Sequence, residues 1–146
     1  MFHYNLLYKP TFKINKKIID KIFKTIDNLI EKKQKWTLNI VFVDPDSIKN
    51  LNKNYRKIDK VTDVLSFHYF SDFSNLKDDD IAWEIIMCEE KIKSQAVEYS
   101  LWEEKEFYKL LIHSILHILW YDHEKENDYK IMSSLEKTIW EKVFEK

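Results

Sequence analysis

Three of the five histidines in this 146-residue chain fall within one stretch of eleven residues, HSILHILWYDH at 113–123. On a helix, residues four apart lie on one face with Cβ atoms about 5–6 Å apart, so His113 and His117 can aim their imidazoles at one metal ion. A third ligand must come from chain that has left the helix and turned back, where His123 stands. Three neutral imidazoles leave a fourth position for water, as in catalytic zinc sites. The alternative is a helix end whose histidines are hydrogen-bonded core residues.

The residue after the first histidine bears on the chemistry. Zinc peptidases of the HExxH type carry a glutamate there, which acts as the general base. This chain has Ser114 at that position. The sequence therefore disfavours peptide hydrolysis, and some other group must assist the attack of water.

The histidine stretch falls in a predicted helix, and its neighbours along the chain must position it. Ser100-Leu-Trp-Glu103 has the spacing of a capping box and predicts a helix to about Leu119. Asp44-Pro45 predicts another helix start, with an aspartate N-cap and proline at the first position. Apolar periodicity predicts the other helices, and short β-rich runs predict the strands. The predicted helices cover about 16–31, 45–55, 89–98, 100–119 and 127–144, and the predicted strands cover 4–8, 38–43, 61–67 and 81–88.

This pattern predicts an α+β fold, in which a small mixed sheet of three to four strands is packed by four to five helices. The candidate metal site then lies on a helix of the C-terminal half and on the turn that follows it. A chain of 146 residues has the length of one domain, so residues 1–146 are expected to share one core. The final helix is expected to bury the face that carries Met132, Leu135, Ile139 and Val143.

Composition places the chain among packed globular proteins, with 45% apolar and 15% aromatic residues. It has no run of about eighteen apolar residues and no basic leader, so we predict a cytoplasmic protein with no membrane partner. The single cysteine, Cys88, fits a reducing compartment. The chain contains no glycine, so left-handed backbone positions must fall to Asn, Asp or a strained residue.

The charge is unevenly divided along the chain. Residues 1–62 carry 14 Lys and Arg against 6 Asp and Glu, whereas residues 63–146 carry 10 against 19, for a net charge of −1. The basic half is suited to phosphate contacts with nucleic acid. The alternative is that its lysines merely solvate an exposed helix face.

Three segments carry a resemblance to a known family. HSILHILWYDH resembles the H-G-x-L-H-L-x-G-Y-D-H signature of the YbeY family, bacterial zinc-dependent endoribonucleases that act as rRNA maturation factors. LNKNYRKIDKVTDVLSF at 51–67 resembles that family's L-N-x-x-Y-R-x-x-D-x-x-T-D-V-L-S-F block. MSSLEK at 132–137 resembles its M-x-x-x-E helix. Together the resemblance covers roughly residues 38–140.

The resemblance implies a set of site residues. One zinc ion per chain would be held by His113, His117 and His123. Arg56 matches an arginine that faces the metal cleft, where a guanidinium can bind a phosphodiester and offset developing charge; a surface ion pair is the alternative. The resemblance also implies catalytic roles for the carboxylates of Asp63 and Asp122. Asp63 can instead be a turn or capping group, as can the nearby Ser66, and Asp122 can instead orient an imidazole or cap the helix.

The chain departs from the family pattern at several positions. Ser114 replaces the glycine after the first ligand, and Trp120 replaces the glycine of G-Y-D-H, at the turn that must deliver His123. A tryptophan there implies a different turn or stored strain. His68 stands where the family has proline after T-D-V-L-S-F, and Glu84 replaces the aspartate of its G-D-I.

The implied function is a single-strand-specific, zinc-dependent endoribonuclease that acts in ribosomal RNA maturation and ribosome quality control. Its expected partners are ribosomal RNA and the ribosome or small-subunit ribosomal proteins. The alternative is a ribosome-associated RNA-binding assembly factor in which zinc is mainly structural. A third possibility is a metal-dependent hydrolase of another ester or amide.

Overall fold

The computed structural model of the chain describes residues 3–29, 37–68, 81–119 and 126–145. These residues form four strands and five helices, which confirms the predicted α+β fold and the expected order of elements. The predicted bounds agree with the observed ones to within three residues. In chain order the elements are β1 His3–Leu7, α1 Lys16–Leu29, β2 Thr37–Val43, α2 Pro45–Arg56, β3 Val64–His68, β4 Ile81–Cys88, α3 Glu89–Glu98, α4 Glu103–Leu119 and α5 Glu126–Phe144.

The four strands form one mixed sheet in the order β1-β2-β4-β3. β1, β2 and β4 run parallel, and β3 pairs antiparallel with β4 at one edge. Because side chains alternate along a strand, each strand offers one face to the main core. From β2 and β4 that face carries Leu38, Ile40, Phe42, Trp83, Ile85 and Met87.

Helix α4 is the element that connects this core to the candidate site. Its apolar residues recur at helical spacing and are fully buried: Phe107, Leu111, Ile115 and Ile118. This 17-residue helix contacts α3, α5 and β3. The histidines lie on the face of α4 that this packing leaves exposed.

The buried Tyr108 links the first turn of α4 to the residue that precedes α1. The hydroxyl of Tyr108 accepts a hydrogen bond from the backbone N–H of Asn15 at 2.9 Å and donates one to the carboxylate of Glu104. Burial and the Glu104 contact raise the pKa of Tyr108, so the hydroxyl keeps its proton and both bonds.

Helix α2 packs on the other face of the sheet, where Ile48, Leu65 and Cys88 form a second buried cluster. Its start is capped as predicted, because Oδ1 of Asp44 accepts a hydrogen bond from the backbone N–H of Ser47 at 2.7 Å. Its end is also fixed. Lys57 adopts the left-handed conformation (φ 62°, ψ 25°). Its N–H donates to the carbonyl of Lys53 at 3.1 Å, and the N–H of Ile58 donates to the carbonyl of Asn52 at 3.3 Å.

Two details of the sequence-based prediction change. Among the described residues, those with positive φ are Tyr8, Lys57 and Ser100. None of them is Asn or Asp, so at these positions a residue that pays a steric cost adopts the left-handed conformation. The capping box at Ser100 is wrong: α4 begins at Glu103, and the Trp102 carbonyl accepts the bond from Glu106 N–H at 3.0 Å. Ser100 instead belongs to the left-handed turn that ends α3.

In the part of the chain that the structure describes, no helix is long and apolar enough to cross a membrane.

Candidate active site

A cleft of about 300 Å³ opens between the C-terminal end of α2, strand β3 and the exposed face of α4. Strand β3 supplies its floor, and the two helices supply charged and polar side chains. The lining residues are Arg56, Val64, Leu65, Ser66, His113, Ser114 and His117. Two of the predicted zinc ligands and the predicted arginine therefore lie in one cleft, although Arg56 and His113 are far apart in the sequence.

His113 and His117 stand side by side on α4. Their ring centroids are 6.4 Å apart and their planes differ by 9°. A ring nitrogen lies about 2.0–2.1 Å from a bound zinc ion, so two rings at this separation can converge on one ion by small side-chain rotations. Both side chains are exposed, whereas Ser114, Ile115 and Leu116 between them are buried. His113 and His117 are therefore not the buried, hydrogen-bonded histidines of the alternative interpretation. Their ring nitrogens are of the type that binds zinc.

Glu136 of α5 contacts the first of these histidines. Oε1 of Glu136 lies 2.5 Å from Nδ1 of His113. This contact raises the pKa of His113, partial desolvation opposes the shift, and the charges of Glu136 and Asp63 add to it. A carboxylate oxygen accepts a hydrogen bond from a ring nitrogen that carries a proton, so this contact favours a proton on Nδ1 of His113.

His117 has a different electrostatic setting. Desolvation by the surrounding protein lowers its pKa, and the positive charges of His113 and Arg56 lower it further. Both effects favour the neutral imidazole of His117, which is the form that binds a metal ion.

Arg56 reaches the cleft from the last residue of α2. A cation at a helix C-terminus interacts favourably with the helix dipole, and the left-handed Lys57 turns the chain away immediately after it. Arg56 is exposed at the opening of the cleft, and its charge is felt at His117. The arginine and the histidine pair can therefore act on one bound group.

The cleft also contains two serines. Ser66 lies on β3, between the predicted catalytic Asp63 and the end of the strand. Ser114 is 3% exposed, and its Oγ has no hydrogen-bond partner among the described residues. The sequence showed Ser114 as a departure from the family glycine, and the structure places it in the lining of the cleft.

Asp63 precedes β3 and does not line the cleft. Its Oδ1 accepts hydrogen bonds from Val64 N–H at 2.8 Å and from the Thr62 hydroxyl, and its Oδ2 accepts one from Gln95 of α3 at 3.3 Å. These bonds correspond to the turn and capping alternative. Asp63 still lies close enough to raise the pKa of His113, and a catalytic role for it stays a prediction.

The last four residues of the histidine motif, at 120–123, lie outside the described residues; they include Trp120, Asp122 and His123. Within the described ranges, no three His, Cys, Asp or Glu side chains are arranged to hold a metal ion. The third ligand therefore stays a prediction, and so does any role for Asp122.

Glu136 is the site residue to which sequence reasoning gave no role. The signal was present, because MSSLEK at 132–137 matches the family's M-x-x-x-E motif, whose glutamate is Glu136 here. What the sequence did not contain was the packing of α5 on α4, which brings that glutamate to His113.

An α+β fold that gathers two histidines and an arginine around one cleft fits the class of enzymes that act on phosphate esters. Comparison with known proteins narrows that class. Residues 8–144 match the family described as Endoribonuclease YbeY. The chain therefore belongs to the YbeY family.

Individual relatives agree over nearly the whole chain. The chain is 36% identical over 135 residues to Endoribonuclease YbeY of Thermosipho melanesiensis, which covers 90% of this chain and 93% of the relative. It is 36% identical over 141 residues to that of Mycoplasmopsis pulmonis, covering 95% of each. It also resembles the solution structure of TM1509 from Thermotoga maritima, with a TM-score of 0.61, 26% identity, and coverage of 97% of this chain and 89% of that one.

Proposed function

We propose that this chain is a zinc-dependent endoribonuclease that cleaves single-stranded RNA in ribosomal RNA maturation and ribosome quality control. The enzyme class, a hydrolase that acts on RNA, follows from its membership of a family whose relatives carry the name Endoribonuclease YbeY. The observation that carries the proposal is the shared cleft of Arg56, His113 and His117.

Zinc would be held by His113, His117 and the predicted third ligand His123, one ion per chain. When bound, it would supply Lewis-acid activation of water near neutral pH. The two described histidines support this role because one is fixed by Glu136 and the other has a lowered pKa. Both present nitrogen donors to the cleft rather than to the core.

Arg56 would bind the scissile phosphodiester. A guanidinium offers two parallel N–H donors to phosphate oxygens and stays charged at all relevant pH values. It would hold the substrate beside the histidine pair and offset negative charge that develops during attack. Exposed lysines precede and follow Arg56 in the chain, on α2 and in the segment after it: Lys53, Lys57 and Lys60. These cations suit the flanking phosphates of an RNA strand.

The fold supports a catalytic rather than a structural zinc. The main core contains the buried faces of α1, α4 and both central strands, and neither metal-binding histidine is part of it. A protein that needs zinc to fold buries its ligands with the metal. The structural-zinc assembly factor is therefore the less favoured alternative. Ribosomal RNA, small-subunit ribosomal proteins and a cytoplasmic location are the partners and compartment that fit the family resemblance.

The test is metal content together with RNA cleavage for the wild type and His117→Ala. We expect about one zinc per wild-type chain, cleavage of a single-stranded oligoribonucleotide but not of the matching duplex, and loss of both zinc and cleavage in His117→Ala. His3→Ala is the control, because His3 is also exposed but lies on β1 at the opposite edge of the sheet. Equal cleavage by zinc-free wild type would contradict the proposal.

Chelation separates the two kinds of zinc site. Removing zinc from wild type should abolish cleavage and lower Tm, because a ligand bound only to the native state stabilises it. The far-ultraviolet circular dichroism at 25 °C should stay native. Unfolding at 25 °C on chelation, without cleavage by the zinc form, would instead favour the assembly factor.

A further inference from the structure

We propose that Glu136 is a positioning residue: its carboxylate holds the proton of His113 on Nδ1, fixes the ring, and leaves Nε2 as the nitrogen that binds the metal. The inference rests on the proposed function and adds to it a residue of another helix. It stands on one contact, the 2.5 Å separation of Glu136 Oε1 and His113 Nδ1.

The contact joins two elements that the sequence does not place together. His113 lies midway along α4 and Glu136 lies midway along α5, 23 residues further on. The two helices pack against each other through the main core, to which α5 contributes Ile139 and Val143. Because Ile139 is one helical turn from Glu136, its full burial limits how far Glu136 can move. The carboxylate is thus supported by the core.

The contact with Glu136 matters because it affects which nitrogen of the neutral His113 ring carries the proton. Such a ring carries one proton, and either nitrogen can hold it. Only the nitrogen without the proton has a lone pair for a metal ion. A carboxylate that accepts from Nδ1–H selects one of the two tautomers and restricts ring rotation. Carboxylates in this relation to metal-binding histidines also raise the donor strength of the ring.

The arrangement is asymmetric between the two histidines. Among the described residues, no hydrogen bond reaches either nitrogen of His117, whereas His113 has Glu136. The hydrogen bond of Glu136 is made to His113, so the proposed role concerns that ring. The competing explanation is that the pair is a surface ion pair that only tethers α5 to α4. The side chains are 51% and 33% exposed, and exposed pairs contribute little to stability.

Two variants and one control distinguish these explanations. Glu136→Ala removes the acceptor, and Glu136→Gln keeps an oxygen acceptor without the charge. Glu141→Ala is the control, because Glu141 is an exposed glutamate of the same helix that does not line the cleft. Each protein is studied in full length, first without metal and then with zinc alone as the added ligand.

The first readout is the tautomer of His113, from the ¹⁵N chemical shifts of its ring in the metal-free protein at alkaline pH. We expect the Nδ1–H form in wild type and in Glu141→Ala, and a shift toward the Nε2–H form in Glu136→Ala. The second readout is zinc affinity by competition with a chelator. We expect a loss of about 10–100-fold in Glu136→Ala, typical of such supporting carboxylates, and a smaller loss in Glu136→Gln.

The outcomes separate this inference from the proposed function. A wild-type His113 in the Nε2–H form, or unchanged zinc affinity in Glu136→Ala, would overturn the positioning role while leaving the endoribonuclease intact. A lower Tm in Glu136→Ala with unchanged tautomer and affinity would show a tether only, and would also overturn it. Wild type that binds zinc and shows the expected tautomer but cleaves no RNA would reject the proposed function and keep the positioning role.

Discussion

His113 and His117 lie side by side on α4, with ring centroids 6.4 Å apart, yet their surroundings shift their pKa values in opposite directions. The carboxylate of Glu136 favours the charged form of His113. Desolvation, with the positive charges of His113 and Arg56, favours the neutral form of His117. Two identical side chains one helical turn apart are thus given different properties by groups from α2 and α5.

Arg56→Ala should lower RNA cleavage by about 10²–10³-fold, a loss typical of removing one donor to a developing charge. Zinc content should not change, because Arg56 contributes no ligand. Arg56→Lys should be intermediate, since an ammonium keeps the charge but loses the paired donors. Cleavage rates and metal content measure this. Lys49→Ala is the control, because Lys49 is exposed on the same helix and does not line the cleft; equal losses in both variants would contradict a specific role.

Ser114→Ala should raise stability by about 1 kcal/mol or more. The buried hydroxyl has no hydrogen-bond partner among the described residues, so its removal relieves a desolvation cost, and alanine is the better helix former. Denaturant unfolding provides the measurement. Ser134→Ala, at an exposed position of α5, isolates the helix-propensity part and should gain only a few tenths of a kcal/mol. A destabilised Ser114→Ala would mean that the hydroxyl is bonded in the folded protein.

Lys57→Gly should stabilise the protein by about 0.5–1 kcal/mol. Lys57 holds the left-handed conformation at φ 62°, which glycine adopts without steric cost. Its backbone N–H would continue to close the end of α2. Lys53→Gly is the matched comparison: the same change one turn earlier, inside the helix, should destabilise by about 1 kcal/mol. Unfolding midpoints that move in the same direction for both variants would refute the expectation.

Asp44 should make stability depend on pH in the acid range. The hydrogen bonds from Ser47 lower the pKa of Asp44 below its usual range, so its cap stabilises the folded state above the unfolded pKa near 4 and is lost as pH falls through the lower folded value. Asp44→Asn keeps an acceptor that does not titrate, and Asp44→Ala has none. The Tm advantage of wild type over Asp44→Asn should therefore shrink below about pH 4. An advantage that stays constant from pH 7 to pH 2 would contradict this assignment.

The order of elements could be predicted from the sequence because local signals set it. Apolar residues at helical spacing predicted α1 and α5, short β-rich runs predicted the strands, and Asp44-Pro45 predicted the start of α2. The start of α4 was missed because the spacing at Ser100 matches a capping box, while the backbone there turns left-handed to end α3. Whether Ser100 caps the start of α4 or takes part in the turn that ends α3 depends on where α3 ends, which the spacing of the motif does not contain.

The sequence by itself determined that His113 and His117 share one face of α4, since residues four apart on a helix lie side by side. Tertiary structure decided what surrounds them. The packing of the helices on the sheet places Arg56 in the cleft that His113 and His117 line, and the packing of α5 on α4 places Glu136 against Nδ1 of His113. Such contacts join residues distant in sequence, and they arise only when apolar faces are buried together, so no local pattern encodes them.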